Sequence, residues 1–340
     1  MSDGLAGGYD LVIFDLDGVV YLIDKPIPGA ADAIERLRAG GTPVAYATNN
    51  ASRRAPDVAA LLTGMGVPAK PAEVLTSAGA AAAMLATRLP AGAPVLVVGA
   101  DALIAEVRDA GLTPVSTSDD HPAAVVQGYG PDVGWRILAE AALSVRAGAT
   151  WVATNTDRTL PSPRGPLPGN GSLVAVLRTA LDRDPDLVVG KPEPALFTTA
   201  ASLSSADRPL VVGDRLDTDI QGAVGAQMDS LLVLTGVSGP ADLLSAPPER
   251  RPTYVTADLS GLFRPAEEAT LPLPASDPLP TSESGGWRLT RKGPQATLTG
   301  AGDPVVALRL LCGATWNGVP PSAIEAVSPE AATLLESWGL

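Results

Sequence analysis

Cysteine is nearly absent from this chain: of 340 residues only Cys312 carries a thiol, which excludes an internal disulfide framework and any paired-cysteine metal site. A reducing cytoplasm is the simplest home for such a composition. Aromatic residues are also scarce, at 4% against 46% hydrophobic overall, so the cores must be built from alanine, valine and leucine. Positive charge is short as well. Lys and Arg total 24 against 37 Asp and Glu, and the net charge of −13 argues against a general nucleic-acid binder, which needs a basic footprint to displace counterions. The N-terminus shows no basic-then-apolar leader, and no apolar stretch reaches the roughly 20 residues of a membrane helix, so no membrane insertion is expected. The length favours two domains, or two with an appendage. The 35 glycines and 33 prolines point to many short connections.

The chain is organised around Tyr9 to Val19, where Leu11-Val12-Ile13-Phe14 runs straight into Asp15, Leu16, Asp17 and Gly18. Four apolar residues in a row suit the interior of a parallel sheet, whose two faces are both covered. In open α/β sheets ligands bind outside the carboxyl ends of the strands, where Asp15 and Asp17 would meet. Helical spacing of Ala33, Ile34 and Leu37 follows Pro28-Gly29, and Pro43 to Ala47 reads as a second strand ending in Thr48-Asn49-Asn50, a βαβ unit. Helices are expected over Ser52 to Gly66 and Glu73 to Leu89.

A new alternation of strands and helices begins at Pro94 and continues through the strand Thr150 to Asn155, a loop rich in proline and glycine, and a helix over Ser172 to Leu181. It is long enough to form an inserted domain. The chain is expected to return to the first sheet at Leu187-Val188-Val189-Gly190, followed by Lys191-Pro192. Pro209 to Gly213 ends in Asp214, Asp217-Thr218-Asp219 caps the next helix, and further strands fall at Leu231 to Leu234 and Tyr254-Val255. The expected division is residues 1–83 and 187–265 as core, 84–186 as inserted domain, 266–286 as an acidic, proline-rich linker, and 287–340 as a small C-terminal module. Trp287 to Leu289 and Ala296 to Leu298 suit a hairpin, and Pro304 to Cys312 an amphipathic helix. A unit that small needs to dock on something, which leaves a homo-oligomer through the inserted domain or the C-terminal module open.

Hydrolysis of a phosphomonoester requires a nucleophile, a proton donor for the leaving alcohol, and positive charge around the phosphoryl group. The strand ends supply each part. An aspartate can attack phosphorus to give an aspartyl phosphate, and Asp17 can protonate the leaving oxygen and then activate water. Asp15 and Asp214 can share a hard cation, and oxygen-only ligands point to Mg²⁺. Lys191 brings fixed positive charge, while Thr48 and Asn49 can donate hydrogen bonds to phosphoryl oxygens.

Asp15-Leu16-Asp17-Gly18-Val19, Thr48-Asn49-Asn50, Lys191-Pro192 and Gly213 to Ile220, taken together and in this order, resemble the motifs of the haloacid-dehalogenase superfamily of aspartate-nucleophile phosphatases. The resemblance implies an α/β fold with a doubly wound parallel sheet and an inserted α/β cap. It implies Asp15 as nucleophile and Asp17 as acid/base, with Mg²⁺ held by Asp15, the Asp17 main-chain carbonyl and Asp214, and with Asp219 in support. The interval from Asp17 to Thr48 is consumed by one βαβ unit, so the cap falls between Thr48 and Lys191. That arrangement is similar to the C2-capped, class IIA subgroup, which includes p-nitrophenylphosphatase-like, phosphoglycolate and glycerol-3-phosphate phosphatases. In that subgroup the cap reads the leaving group, and Asn155, Asp157 and Arg158 fall where the specificity loop would lie. They suit a small phosphorylated metabolite, with glycerol 3-phosphate first and 2-phosphoglycolate second. A phospho-acceptor signalling module is the alternative from another class, but it would need neither the long insertion nor the second aspartate. The resemblance ends near Phe263 and leaves the C-terminal module unassigned.

Overall fold

The computed structural model of the chain describes residues 4–23, 25–272 and 281–340. They fall into two compact units, Met1–Val20 with Ile27–Pro43 and Ala206–Leu340, and Tyr21–Pro26 with Val44–Ser205. Both are α/β, built on parallel sheets.

In the first unit the strand Leu11–Phe14 is buried at all four positions. It pairs in parallel with Pro209–Gly213, Leu11 opposite Pro209 and Phe14 opposite Val212. Asp229–Val233 and then Tyr254–Thr256 extend the sheet, again in parallel. Every strand therefore points its carboxyl end the same way, and Asp15 and Asp214 each follow directly on one. The helix Ala30–Ala39 buries Ala30, Ala33, Ile34 and Leu37, the single stripe its spacing predicts. It stops at Gly41, whose φ of 81° is open to glycine at little cost, and the Thr42 amide closes the end on the Leu37 carbonyl at 3.0 Å.

The C-terminal residues belong to this same unit. Trp287–Lys292 and Gln295–Gly300 form the expected hairpin, with Leu289 opposite Leu298. Thr281–Ser284, inside the stretch expected as linker, instead pairs antiparallel with Trp287–Lys292, and Ala266–Glu268 makes a helical turn. The middle of that expected linker, 273–280, lies outside the described residues. Ile324–Ala326 completes the four-stranded sheet in parallel with Gln295–Gly300. The helix Pro304–Thr315, capped by Asp303, buries Leu308, Leu311 and Cys312. Leu289, Leu298, Leu308 and Trp316 share one apolar cluster with Leu243, Leu244 and Val255 of the main α/β layer.

In the second unit Val44–Thr48 pairs in parallel with Val74–Thr76. The single helix expected over Glu73 to Leu89 is thus a short strand followed by the helix Ser77–Arg88, because Val74 and Leu75 precede a true N-cap, Thr76, whose hydroxyl accepts the Gly79 amide at 3.1 Å. That helix runs unbroken through the expected boundary at 83/84. A five-stranded parallel sheet follows, ordered Leu187–Val188, Thr150–Ala153, Ala124–Gln127, Pro94–Val98, Thr113–Val115. Its strands alternate between two cores. Val95, Val97, Val126 and Val152 pack with Leu85, Leu103 and Val107, whereas Leu96, Val98, Val125 and Trp151 pack with Leu138, Val145, Val174 and Leu177. This is the two-residue period of a strand covered on both faces.

Leu187–Val188 does not return to the first sheet; it pairs in parallel with Val152 and Ala153 at the edge of the inserted one. The ladder continues through the amides of Val189 and Gly190, which donate to the carbonyls of Ala153 and Thr154 at 3.1 and 2.8 Å. An unpaired edge next to Thr150–Ala153 takes the first extended segment that reaches it, and a two-residue apolar strand carries no mark of its partner. Lys191 accordingly follows a strand of the inserted sheet.

Candidate active site

Two polar clusters stand out, one in each unit. In the first, carboxylate oxygens of Asp15, Asp214 and Asp219 lie within 4.8 Å of one another, and all three residues are buried. Asp15 is fixed by the ladder, its amide donating to the Val212 carbonyl at 2.8 Å. Asp214 is held by the turn after the third strand: the Val237 amide donates to Oδ2 at 2.7 Å, and the Ser238 amide to the Asp214 carbonyl at 3.0 Å. Asp219 Oδ2 accepts the Arg215 amide at 3.1 Å, so it ties back to the strand end and does not cap the following helix. Asp217 turns away. Burial acts to raise its pKa, but two hydrogen bonds from the Arg215 guanidinium, at 3.0 and 2.9 Å, and that cation's charge hold its carboxyl below the usual range. Asp17 is half-buried two residues beyond Asp15.

Glycines make the close approach around Asp214 feasible. A Cβ on Gly18 would stand 2.5 Å from Asp214 Oδ2, and one on Gly236 would overlap the same carboxylate. Gly18 also takes a φ of 84°, which suits glycine alone at low cost. Its carbonyl accepts the Thr235 hydroxyl at 2.6 Å, joining the Asp15 loop to the Asp214 turn. Gly236, Thr235 and Ser238 carry no motif of their own in the sequence and were not among the expected site residues.

Three mutually repelling carboxylates are costly inside a protein without compensating positive charge. The donor set is oxygen only, which fits a hard divalent cation such as Mg²⁺ and gives no soft ligand to a transition metal.

In the second unit Asn49 is the hub. Its Nδ2 reaches both carboxylate oxygens of Asp157 at 3.1 Å and the Lys191 carbonyl at 3.0 Å. Its own carbonyl accepts from Ser77 Oγ and Asn155 Nδ2, each at 2.7 Å. Asn155 is buried with both side-chain ends engaged, since Oδ1 also accepts the Asp157 amide at 3.2 Å. Thr48 is buried at the end of its strand, and its hydroxyl accepts the Asn50 amide at 3.1 Å. Lys191 is only 3% exposed, unusual for a lysine. Arg158 is exposed. The structure therefore gathers Asn49, Asn155, Asp157 and the Lys191 main chain, while the Arg158 side chain stands apart in solvent.

Residues 12–113 match the family described as haloacid dehalogenase-like hydrolase, and residues 188–262 a second, HAD-hydrolase-like, family. Residues 284–340, which yield no chemical motif to inspection, match a GCN5-related N-acetyltransferase-like domain. The chain is 43% identical over 351 residues to a D-glycerol 3-phosphate phosphatase of Mycobacterium tuberculosis, covering 99% of this chain and 96% of that protein. It is 38% identical over 254 residues to an acid sugar phosphatase of Staphylococcus aureus, covering 74% and 96%. Among solved structures, a glycerol phosphate phosphatase from M. tuberculosis in complex with magnesium superposes with a TM-score of 0.89 at 44% identity, covering 98% of each chain. A 4-nitrophenylphosphatase from Thermotoga maritima gives 0.71 at 31% identity, covering 76% of this chain and 98% of that one. With buried acids at the ends of adjacent parallel strands and this degree of likeness along nearly its whole length, the chain belongs to the haloacid dehalogenase-like hydrolases, in their class IIA phosphatase group.

Proposed function

We propose that this protein is a Mg²⁺-dependent phosphatase that hydrolyses glycerol 3-phosphate through an aspartyl-phosphate intermediate. The observation that carries the reading is the convergence of Asp15, Asp214 and Asp219 at the carboxyl ends of two paired parallel strands. Asp15, Asp214 and the Asp17 main-chain carbonyl would hold Mg²⁺, with Asp219 in support. When bound, the cation offsets the carboxylate charge that would otherwise repel a phosphate dianion.

An Asp15 carboxylate oxygen attacks phosphorus, and the bond to the leaving alcohol breaks as Asp17 delivers its proton to that oxygen. Asp17, now ionised, takes a proton from water, which attacks the phosphoryl group and frees Asp15 and inorganic phosphate. Thr48, the main-chain amide of Asn49 and Lys191 bind phosphoryl oxygens. Their place in the motif order supports this role, and the burial of Lys191 means that its charge is poorly screened.

The inserted sheet serves as the C2 cap, and Asp157 and Arg158 read the leaving group, with Asn155 fixing their loop. Glycerol 3-phosphate as substrate is supported by the name of the relative that is 43% identical along 99% of the chain. The exposed Arg158 guanidinium favours 2-phosphoglycolate as the second reading, since a carboxylate suits a bidentate cation. No helix among the described residues is long and apolar enough to cross a membrane. A cytoplasmic setting rests on the single cysteine.

The test is steady-state phosphate release with Mg²⁺ from a panel of phosphorylated metabolites. Glycerol 3-phosphate is expected to lead in kcat/KM. A nucleotide or hexose phosphate ahead by about tenfold, ~1.4 kcal/mol of transition-state preference, overturns the substrate reading.

A further inference from the structure

A chain of buried side-chain amides crosses the second unit, and one of its members has no part in the chemistry proposed above. Asn170 opens the helix Asn170–Leu181 and is 2% exposed. Its Nδ2 donates to the carbonyl of Asn155 at 2.7 Å and to that of Gln127 at 3.2 Å. Asn155 passes the restraint on, through the bonds that join it to the Asn49 carbonyl and the Asp157 amide. The neighbours of Asn170 hold the rest of the same loop. The Gly171 amide donates to the Asp157 carbonyl at 2.8 Å, and the Gly169 amide and Ser172 hydroxyl to the Arg158 carbonyl at 2.9 and 2.7 Å. A Cβ on Gly171 would overlap the Thr156 carbonyl, and one on Gly169 would stand 2.5 Å from the Asp157 carbonyl, so helix and loop touch backbone to backbone.

Asn170 Oδ1 finds no partner among the described residues. A buried amide with an unmet acceptor costs stability, which an apolar residue would avoid. What an apolar residue would lose is the pair of donated bonds, and with them the register of the loop that carries Asp157 and Arg158.

We infer that Asn170 is a positioning residue for leaving-group recognition: with Ser172 it clamps residues 155–158, so that the backbone carrying Asp157 and Arg158 is held in one arrangement. The inference rests on the reading of Asp157 and Arg158 as leaving-group contacts. A side chain that merely stabilised the helix start would affect all substrates alike. A clamp on the leaving-group loop acts on glycerol 3-phosphate, whose hydroxyls need reading, and spares p-nitrophenyl phosphate, which offers none.

The decisive variant is Asn170→Leu, close in shape and uncharged but without either donated bond. KM for glycerol 3-phosphate should rise about tenfold, the worth of one or two buried hydrogen bonds, with kcat little changed and with KM for p-nitrophenyl phosphate within about twofold of wild type. Ser172→Ala, which removes only the partly exposed hydroxyl bond to Arg158, should move the same ratio by a smaller factor, and it carries the test should Asn170→Leu not fold. A parallel rise in both KM values, or no change in either, overturns the clamp. A wild-type enzyme that prefers another small alkyl phosphate overturns the substrate reading instead, and the clamp is then read from that substrate's ratio to the aryl phosphate.

Discussion

The backbone amide of Val237 donates to Oδ2 of Asp214 at 2.7 Å, which fixes a buried carboxylate from a turn more than twenty residues further along the chain. Gly236 lets that turn come so close, for a Cβ there would occupy the space of the carboxylate itself. Gly236→Ala should therefore displace Asp214 and weaken Mg²⁺ binding by about ten- to hundredfold, the usual effect of disturbing a residue that orients a ligand. Calorimetric titration of the protein with Mg²⁺ measures this directly, without turnover. An unchanged affinity in a folded Gly236→Ala protein would remove Asp214 from the cation site.

Asp15 and Asp17 should fail in different ways. Asp15→Asn keeps the shape of a side chain that is 7% exposed but replaces the attacking carboxylate, so turnover of every phosphate ester should fall by at least about a thousandfold, ~4 kcal/mol. Asp17→Asn removes the proton donor. An alcohol leaves poorly without a proton, whereas nitrophenolate leaves readily as the anion, so the loss in kcat should be much larger for glycerol 3-phosphate than for p-nitrophenyl phosphate. Equal losses on the two substrates would rule out Asp17 as the acid.

How far these sites can be read from the sequence depends on whether chain-local chemistry or a distant partner decides the structure. Leu11 to Phe14 followed by Asp15, and Pro209 to Gly213 followed by Asp214, are legible because an apolar run that ends in an acid fixes both the strand and its functional end. Leu187–Val188 reads as a strand of the first sheet but pairs in the inserted one, because pairing is a long-range outcome and two apolar residues fit either edge. Val74–Thr76 reads as part of a helix because a three-residue strand is shorter than any periodicity can resolve. Gln127 looks like a surface polar residue in a linear reading, yet it is 0% exposed, and only the fold brings it the Trp151 indole that donates to its side chain at 3.0 Å. Gly236 reads as an ordinary turn glycine, since nothing local records the carboxylate packed against it.

Trp316 ties the C-terminal sheet and helices to the main α/β layer, and its removal should be visible at the lone cysteine. The indole Nε1 donates to the Leu243 carbonyl at 3.1 Å, and the Arg251 guanidinium lies 4.8 Å from the ring centroid. Trp316→Ala should cost about 3–5 kcal/mol, as large buried aromatic truncations do, while Trp316→Phe keeps most of the packing and loses about 1 kcal/mol with the hydrogen bond. Cys312 is fully buried in the same apolar cluster, where desolvation pushes its thiol well up against a smaller opposing pull from Arg251. The folded state therefore favours the neutral thiol. Its contribution to stability is complete below the ordinary thiol pKa of about 8.5 and is lost progressively as pH rises above that value, where the unfolded chain ionises first. Iodoacetamide at pH 8 should leave the wild-type thiol untouched over hours and alkylate it in Trp316→Ala, because the thiolate forms only when the cluster opens. A wild-type thiol that reacts as fast as a free cysteine, or a Trp316→Ala protein as stable and as inert as the wild type, would show that the C-terminal residues are tethered to the α/β layer and not packed on it.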